Sequence, residues 1–174
     1  MLGAALLFGV GSAQAAPTTA FWRAMDGSGS ISATDFTTQV NGYVSALNTF
    51  FTNNSGAYGQ VAIGGNIFGS KVIQFFALDV IDNAGDLLAL TTAISNLNTD
   101  GPDAGTAPDR GGVNTGGTAI GDVIVAATTA LTAFQTAQAM NLRLVIDVTT
   151  DGANNTGLNA VTRRTTPQRP AWMP

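Results

Sequence analysis

Residues 19–32 read T-A-F-W-R-A-M-D-G-S-G-S-I-S, an apolar run that passes directly into small polar residues and glycine. The run over residues 19–25 predicts a β-strand with Asp26 at its carboxyl end. Asp26, Ser28 and Ser30 stand at alternate positions, and the glycines between them permit a turn tight enough for these side chains to converge. Carboxylate and hydroxyl oxygens are ligands of hard cations such as Mg²⁺ and Ca²⁺. The stretch therefore has the outline of a metal-binding loop at the end of a strand.

Two distant segments carry oxygens that can complete such a site. Residues 114–122, N-T-G-G-T-A-I-G-D, place Thr118 between glycines and the start of a helical pattern. Residues 145–155, V-I-D-V-T-T-D-G-A-N-N, place Asp151 at the end of a second apolar strand. Threonine is also a good helix N-cap, which is the better explanation of Thr118 taken alone. Because the other two motifs occur in the same chain, we favour a ligand role for Thr118.

The three motifs together resemble the metal-ion-dependent adhesion site of the von Willebrand factor type A domain. That site combines Asp-x-Ser-x-Ser after an apolar strand, a Thr after glycines at the start of a helix, and Thr-Asp-Gly at the end of a second strand. The sequence around V-I-D-V-T-T-D-G-A-N-N-T-G is similar to a bacterial secreted branch of this superfamily, whose members mostly have no assigned role. The resemblance covers roughly residues 20–160. It implies a three-layer, doubly wound α/β fold whose sheet is mostly parallel with one antiparallel edge strand.

The resemblance also implies a site and a partner. One divalent cation, Mg²⁺ or else Mn²⁺ or Ca²⁺, would be bound, and a carboxylate from a protein partner would complete its coordination shell. The residues that the resemblance assigns to the ion are three hydroxyl ligands and two carboxylates that contact it directly or through water: Ser28, Ser30 and Thr118, with Asp26 and Asp151. The function expected is metal-dependent adhesion or protein interaction.

The composition restricts the chemistry that the chain can perform. Its 174 residues are 45% hydrophobic, which suits one domain with a real core. The sequence has no histidine and no cysteine, which excludes Ser-His-Asp and Cys-His nucleophiles and all thiolate or imidazole metal sites. Oxygen ligands remain, and they favour Mg²⁺, Ca²⁺ or Mn²⁺. Because only 10% of residues are charged and the net charge is −4, we expect no nucleic-acid partner.

The intervening sequence predicts alternating helices and strands. Arg23 does not suit a central parallel strand, which is normally apolar throughout, so either the first strand is partly exposed there or the local sequence has been altered. Ser32 or Thr34 is expected to cap the first helix, with Asp35 in its first turn. The remaining predicted elements are helices over residues 32–51, 83–97 and 119–137, a hairpin of strands over 60–68 and 71–81, a long loop over 98–117, and a strand over 142–148.

The two ends of the chain differ from the domain between them. Residues 1–15 combine an apolar run too short to span a bilayer with the small-residue pattern A-Q-A, which predicts a secretory signal peptide. A buried N-terminal strand or helix is the alternative. The domain then occupies residues 16–160, without a membrane span in the mature chain, in a secreted or periplasmic bacterial protein. Residues 161–174 hold three of the seven basic residues and three of the six prolines, and they predict an irregular or truncated tail.

An EF-hand-like calcium loop is one alternative to the adhesion site. It can be laid on residues 24–35, with Asp26 third, Ser28 fifth and Asp35 twelfth. Its first position is Ala24, which removes a principal ligand. This alternative also leaves the other two motifs unexplained.

A metal-free structural domain is a second alternative, and an enzyme is a third. A metal held by aspartates can activate water, but no general base stands out beyond Asp147 and Asp122. Each of these is more simply a polar residue at the end of an element. We therefore expect no enzymatic activity.

Overall fold

The structure is a computed structural model that describes residues 16–98, 109–113 and 115–159. The predicted signal peptide over 1–15 and the predicted tail over 161–174 lie outside the described residues.

A four-stranded sheet forms the centre of the molecule. Its strands are β1 (Thr19–Asp26), β2 (Val61–Phe68), β3 (Val72–Val80) and β4 (Arg143–Thr149), and they lie in the order β3-β2-β1-β4. β1 runs parallel to both of its neighbours, whereas β2 and β3 form an antiparallel hairpin at one edge. The predicted sheet, mostly parallel with one antiparallel edge strand, is confirmed.

Helices cover both faces of this sheet. They are α1 (Ala33–Asn53), α2 (Ala84–Ser95) and α3 (Ile120–Gln138), and short 3-10 turns follow the first two. The face carrying Met25 and Ile67 packs against α1 and α2, whereas the face carrying Trp22 packs against α3. Successive residues of β1 point to opposite faces, so one strand contributes to both cores. The predicted three-layer α/β architecture is confirmed.

The helix ends follow the polar residues that the sequence places there. The hydroxyl of Ser32 accepts a hydrogen bond from the backbone N–H of Asp35 at 3.1 Å, which makes Ser32 the N-cap of α1. α2 begins with a capping box in which Asn83 and Asp86 satisfy each other's backbone N–H groups. These caps set where each helix starts, and hence how the apolar stripes meet the sheet.

One described helix, α3, is long and apolar enough to cross a membrane by length and composition alone, with a mean hydropathy of 1.3 over its most apolar window. It packs on the sheet through Val123, Ala127 and Leu131, which are buried. Only 22% of that window is buried, and a single helix that passes by length and composition is weak evidence for a membrane span.

Arg23 lies inside the protein, which rules out a partly exposed β1, the first of the two explanations that the sequence left open for this residue. Only 3% of Arg23 is exposed, and its guanidinium donates hydrogen bonds to the carboxylate of Asp147 and the hydroxyl of Thr149. Asp147 is the β4 residue in register with Arg23, and the ring of Tyr43 lies 3.5 Å from the guanidinium carbon. Burial lowers the pKa of Arg23 to about 10, although the neighbouring carboxylate opposes this shift. A cation is therefore accommodated in the central strand because the next strand supplies its counter-charge.

The parallel pairing of β1 and β4 brings their carboxyl ends together. Met25 is in register with Thr149, so the residues that follow the two strands emerge side by side. In open α/β sheets this edge is where ligands bind.

Candidate metal centre

Asp26 is the innermost residue of the predicted site. It is fully buried, and one of its carboxylate oxygens accepts a hydrogen bond from the backbone N–H of Ser28 at 2.7 Å. The other oxygen accepts a hydrogen bond from the hydroxyl of Thr150 at 2.6 Å. A buried carboxylate requires such partners. Asp26 thus ties the glycine-serine loop after β1 to the residues that follow β4.

The hydroxyls of the loop form a chain that reaches Asp151. Ser28 Oγ lies 3.1 Å from Ser30 Oγ, and Ser30 Oγ donates a hydrogen bond to Asp151 Oδ1 at 2.7 Å. Ser28 is buried, whereas Ser30 and Asp151 are exposed. The site is therefore closed on the side of the sheet and open to solvent beside Asp151.

Thr118 reaches the same place from the third segment. A Cβ atom built on Gly152 would lie 3.7 Å from Thr118 Oγ1 and 3.8 Å from Ser30 Oγ, so both hydroxyls face one position next to Asp151. α3 begins at Ile120 with Ala119 as its N-cap residue, so Thr118 does not act as the N-cap. The structure thus brings together all of the residues predicted for the site: Asp26, Ser28, Ser30, Thr118 and Asp151.

The donor set fits a hard divalent cation. Among residues 16–98, 109–113 and 115–159, no three His, Cys, Asp or Glu side chains lie together in a way that could hold a metal ion. The site offers two carboxylates and three hydroxyls instead. Mg²⁺ is commonly bound in this way, through one or two carboxylates with water in the remaining positions.

Two asparagines, which the sequence analysis gave no role, attach the Asp151 loop to α3. Asn155 Oδ1 accepts a hydrogen bond from the backbone N–H of Thr118 at 2.7 Å, and Asn154 Oδ1 accepts one from Gly121 at 2.9 Å. These bonds satisfy N–H groups at the start of the helix. A Cβ on Gly121 would lie 1.8 Å from the carbonyl oxygen of Leu158, so only glycine permits this close approach.

Arg110 also holds the loop over residues 27–31, a role that the sequence patterns did not predict. Its guanidinium donates hydrogen bonds to the carbonyl oxygens of Gly27 at 3.3 Å, Ser28 at 3.1 Å, and Ile31. A planar group with five N–H donors suits several carbonyls at once. The available signal was weak: Arg110 is the single arginine of residues 98–117, a segment otherwise rich in Gly, Pro, Asp and Thr.

Arg110 and its neighbours support residues 27–31, the candidate metal-binding loop. Gly29 donates its N–H to the carbonyl oxygen of Thr115 at 2.8 Å, and a Cβ on Gly27 would lie 3.3 Å from Val113 Cγ2. Asp109 is buried and accepts a hydrogen bond from the N–H of Gly112 at 2.8 Å. The backbone of residues 27–31 is thus fixed by contacts as well as by its own turns.

This geometry does not support the EF-hand-like alternative. Asp35 lies in the first turn of α1, where its carboxylate accepts a hydrogen bond from the Ser32 hydroxyl at 2.7 Å. The residue that would close a calcium loop therefore acts as part of a helix cap.

A groove of about 270 Å³ adjoins the open side of the site. It runs from Asp151 along the first turns of α1, and its lining combines an apolar side chain with polar ones: Ile31, Asp35, Gln39, Thr149, Thr150 and Asp151.

The solved structures that share this fold include a pilus adhesin and a thread matrix protein. The pilus adhesin SpaC from Lactobacillus rhamnosus GG, in its open conformation, aligns with a TM-score of 0.56 at 19% identity over 80% of this chain and 15% of that chain. Proximal thread matrix protein 1 from the mussel byssus aligns with a TM-score of 0.58 at 16% identity over 84% of this chain and 34% of that chain. The chain thus spans well under two thirds of either protein. At these identities the likeness shows the fold alone.

Sequence comparisons give a family without a named activity. No curated protein matches the chain. One family model matches residues 18–170, a range that includes every described strand and helix. The chain therefore belongs to the family described as "Protein of unknown function (DUF1194)".

Proposed function

We propose that this chain is a divalent-metal-dependent protein-interaction module of the von Willebrand factor type A kind, which binds without catalytic turnover. The observation that carries the proposal is the hydrogen bond of 2.7 Å between Ser30 and Asp151, which are 121 residues apart in the sequence. It joins the Asp-x-Ser-x-Ser motif to the Thr-Asp-Gly motif, and the sequence predicted that both contribute to one site. The third motif is present too, because Thr118 faces the same position.

The residues of the proposed site have two different roles, since some would contact the ion and Asp26 would support them. Ser28, Ser30 and Thr118 would coordinate the ion through their hydroxyls, and the exposed Asp151 would contact it directly or through water. Both oxygens of Asp26 already accept hydrogen bonds, so this carboxylate supports the site from behind and contributes its negative charge. A bound ion would supply positive charge and an open coordination position.

The charges around the site explain why a partner would offer a carboxylate. Asp26 and Asp151 contribute two negative charges, and Arg110 contributes one positive charge through its bonds to the carbonyls of Gly27 and Ser28. A divalent cation added to these three groups leaves one positive charge at an open coordination position next to solvent, while Asp109 in the supporting segment and Asp35 in the adjoining groove add negative charge around it. Such a centre attracts an anionic oxygen, and the adjoining groove leaves room for the residues that flank it.

Two further observations agree with this proposal. The predicted signal peptide over residues 1–15 suits a secreted or periplasmic bacterial protein, where partners on other surfaces are within reach. The names of the two structural neighbours, a pilus adhesin and a byssal thread matrix protein, describe proteins of adhesive or extracellular assemblies.

Metal binding is tested by titrating residues 16–174 calorimetrically with Mg²⁺, Mn²⁺ and Ca²⁺. We expect saturable binding that is lost in the Asp26→Ala, Asp151→Ala double variant, because this change removes both carboxylates. The matched control is Asp79→Ala, an exposed aspartate on β3 outside the site, which should bind as the wild type does. Unchanged affinity in the double variant would refute the site. A folded chain that binds no ion, as judged by circular dichroism, would instead be a metal-free structural domain.

The carboxylate preference is tested with immobilised peptides that differ only in one Asp or Asn residue. In the presence of Mg²⁺ we expect the wild type to bind the Asp peptides at least about tenfold more tightly than the Asn peptides, since only a carboxylate neutralises the excess charge. EDTA should abolish the difference. Equal binding to both peptides, with Mg²⁺ bound, would contradict the proposed mode of recognition while leaving the metal site intact.

A further inference from the structure

β4 is an edge strand of the sheet, but its composition is that of an interior strand. Its residues 144–148 read L-V-I-D-V, a nearly continuous apolar run of the kind found in strands buried on both faces. None of the seven residues of β4 is buried, however, and Leu144 is 38% exposed. β1, its neighbour, is buried over most of its length. The composition of β4 therefore suits a strand with a neighbour on each side, of which the described residues supply one.

The backbone of β4 presents hydrogen-bonding groups along its outer edge. The N–H of Arg143 donates to the carbonyl oxygen of Thr18 at 3.0 Å, so the backbone groups of Arg143 point towards β1. Successive residues of a strand direct these groups to alternate sides. Those of Leu144, Ile146 and Val148 therefore point away from β1, where no described strand lies. Such an edge is a template for the addition of another strand.

The described residues that follow β4 turn towards α3. Asn155 accepts a hydrogen bond from the N–H of Thr118 at 2.7 Å, and the N–H of Leu158 donates to the carboxylate of Asp122 at 3.1 Å. Residues 150–159 contain no strand that pairs with β4. Within the described part of the chain, the outer edge of β4 thus stays available to a second molecule.

The sequence of β4 is complementary to itself in one antiparallel register. When two copies meet with Val145 opposite Val145 on a two-fold axis, Arg143 of each copy lies opposite Asp147 of the other. In the same register Leu144 lies opposite Ile146. The symmetry makes each of these pairs occur twice. Opposite charges that face each other on adjacent strands stabilise the pairing, and so do apolar pairs.

Both charged residues are able to make this contact. Arg143 is exposed and forms no salt bridge with another described residue. Asp147 accepts the hydrogen bond of Arg23 through Oδ2, but 46% of its side chain is exposed. A carboxylate accepts about four hydrogen bonds in all, so Asp147 has capacity for a second cation.

The same register also satisfies the backbone of the open edge. Because the backbone groups of Leu144 and Ile146 point outwards, these two residues exchange both of their hydrogen bonds across the axis. Arg143 and Asp147 then occupy a non-hydrogen-bonded pair, in which facing side chains approach most closely. With Ile146 on the axis instead, Arg143 would face Thr149 and Asp147 would face Val145. The charges therefore favour the register that is centred on Val145.

We propose that this protein forms a symmetric dimer in which the β4 strands of two copies pair antiparallel, with Val145 on the two-fold axis. A second copy is the occupant that the facing charges of Arg143 and Asp147 specify. Antiparallel strands end at opposite edges of the joined sheet, so the two candidate metal centres lie away from the axis and both stay open. The inference does not depend on metal binding, and EDTA should leave the dimer intact.

Sedimentation of the full chain at several concentrations tests the association. We expect a monomer–dimer equilibrium in the wild type. Arg143→Glu brings like charges together twice and should weaken the dimer by about tenfold or more. The matched control is Lys71→Glu, the same change of charge at an exposed position beside β3 on the opposite edge, which should leave the equilibrium unchanged. A chain that stays monomeric, as it would if another segment of its own covered β4, overturns the proposal, and so do equal effects of the two variants.

Cysteine cross-linking tests the register, because the chain has no cysteine of its own. Val145→Cys places two thiols at a non-hydrogen-bonded pair, where the Cβ atoms are close enough for a disulfide. We expect oxidation to link most of this variant into covalent dimers that a reducing agent releases. Lys71→Cys, exposed on the other edge, should cross-link only by random collision. Equal cross-linking of the two variants, or preferential cross-linking of Ile146→Cys, would refute the proposed pairing.

Discussion

Arg23 shows how a single charge is tolerated in the middle of a central strand. Its guanidinium bonds to Asp147 and Thr149 and lies against the ring of Tyr43. Burial nevertheless dominates, since it lowers the pKa of Arg23 to about 10, well below the ordinary value of a guanidinium. The folded protein therefore releases this proton before the unfolded chain does. Below about pH 10 the residue is charged in both states, and the desolvation that destabilises the fold is present across the whole neutral range.

Replacing Asp147 with Asn tests how much the fold depends on the counter-charge that Asp147 supplies to Arg23. We expect the free energy of unfolding to fall by about 1–2 kcal/mol, because the buried guanidinium loses its counter-charge. This loss is smaller than the roughly 3–5 kcal/mol typical of breaking a fully buried ion pair, since 46% of the Asp147 side chain is exposed and water screens the pair. Urea unfolding measures the change.

The double variant Arg23→Met, Asp147→Asn gives the control for this prediction. With the buried charge removed as well, most of the lost stability should return, because an apolar side chain of similar length fills the same space. A loss in the double variant as large as that in Asp147→Asn would show that the ion pair is not the cause. Asp79→Asn, at an exposed position on β3, should leave stability unchanged.

At the scale of elements, the candidate metal-binding loop over residues 27–31 depends on a second segment, which the sequence predicted only as part of the long loop over 98–117. Residues 109–113 and 115–118 contact residues 27–31 through the guanidinium of Arg110, the carbonyl of Thr115 and the side chain of Val113. Periodicity predicts helices and strands but carries no information about which loops touch. The role of this segment was therefore not predictable, although its end at Thr118 was recognised.

The contribution of Arg110 can be separated into geometry and charge. Arg110→Lys keeps the charge but loses the planar fork, so we expect Mg²⁺ affinity to fall about three- to tenfold as the loop loosens. Arg110→Gln should lower the Mg²⁺ affinity less than Arg110→Lys does, because removing a positive charge near the cation partly offsets the lost contacts. Calorimetric titration of both variants gives the comparison. Wild-type affinity in Arg110→Lys would show that the loop holds its shape without the arginine.

Helix and strand boundaries, by contrast, were largely visible in the sequence. The helix predicted over 32–51 is Ala33–Asn53, and the strand predicted over 142–148 is Arg143–Thr149. Local signals set these limits: a serine that caps, an acidic first turn, and apolar runs bounded by glycine and asparagine. The error at each end is one or two residues.

At the scale of the whole molecule, predictability depended on whether a contact is local. The alternation of Asp26, Ser28 and Ser30 is local, and it marked a loop that the structure places beside Asp151 and Thr118. The proximity of Asp151 followed from the resemblance to a known fold, since β1 and β4 are far apart in the chain. The pairing of Arg23 with Asp147 was not anticipated, because it depends on the register of these two strands, and no local pattern specifies that register.

The position of β4 in the chain also has a consequence for when the site can form. Ser30 and Asp151 are separated by 121 residues, and Arg23 and Asp147 by 124. Contacts this distant in sequence require the intervening chain to close into one large loop, which slows folding. A chain exported from its N-terminus would present Asp26 and both serines to the new compartment well before β4 arrives. Under the proposed export and metal binding, the site would be assembled only after nearly the whole domain has crossed.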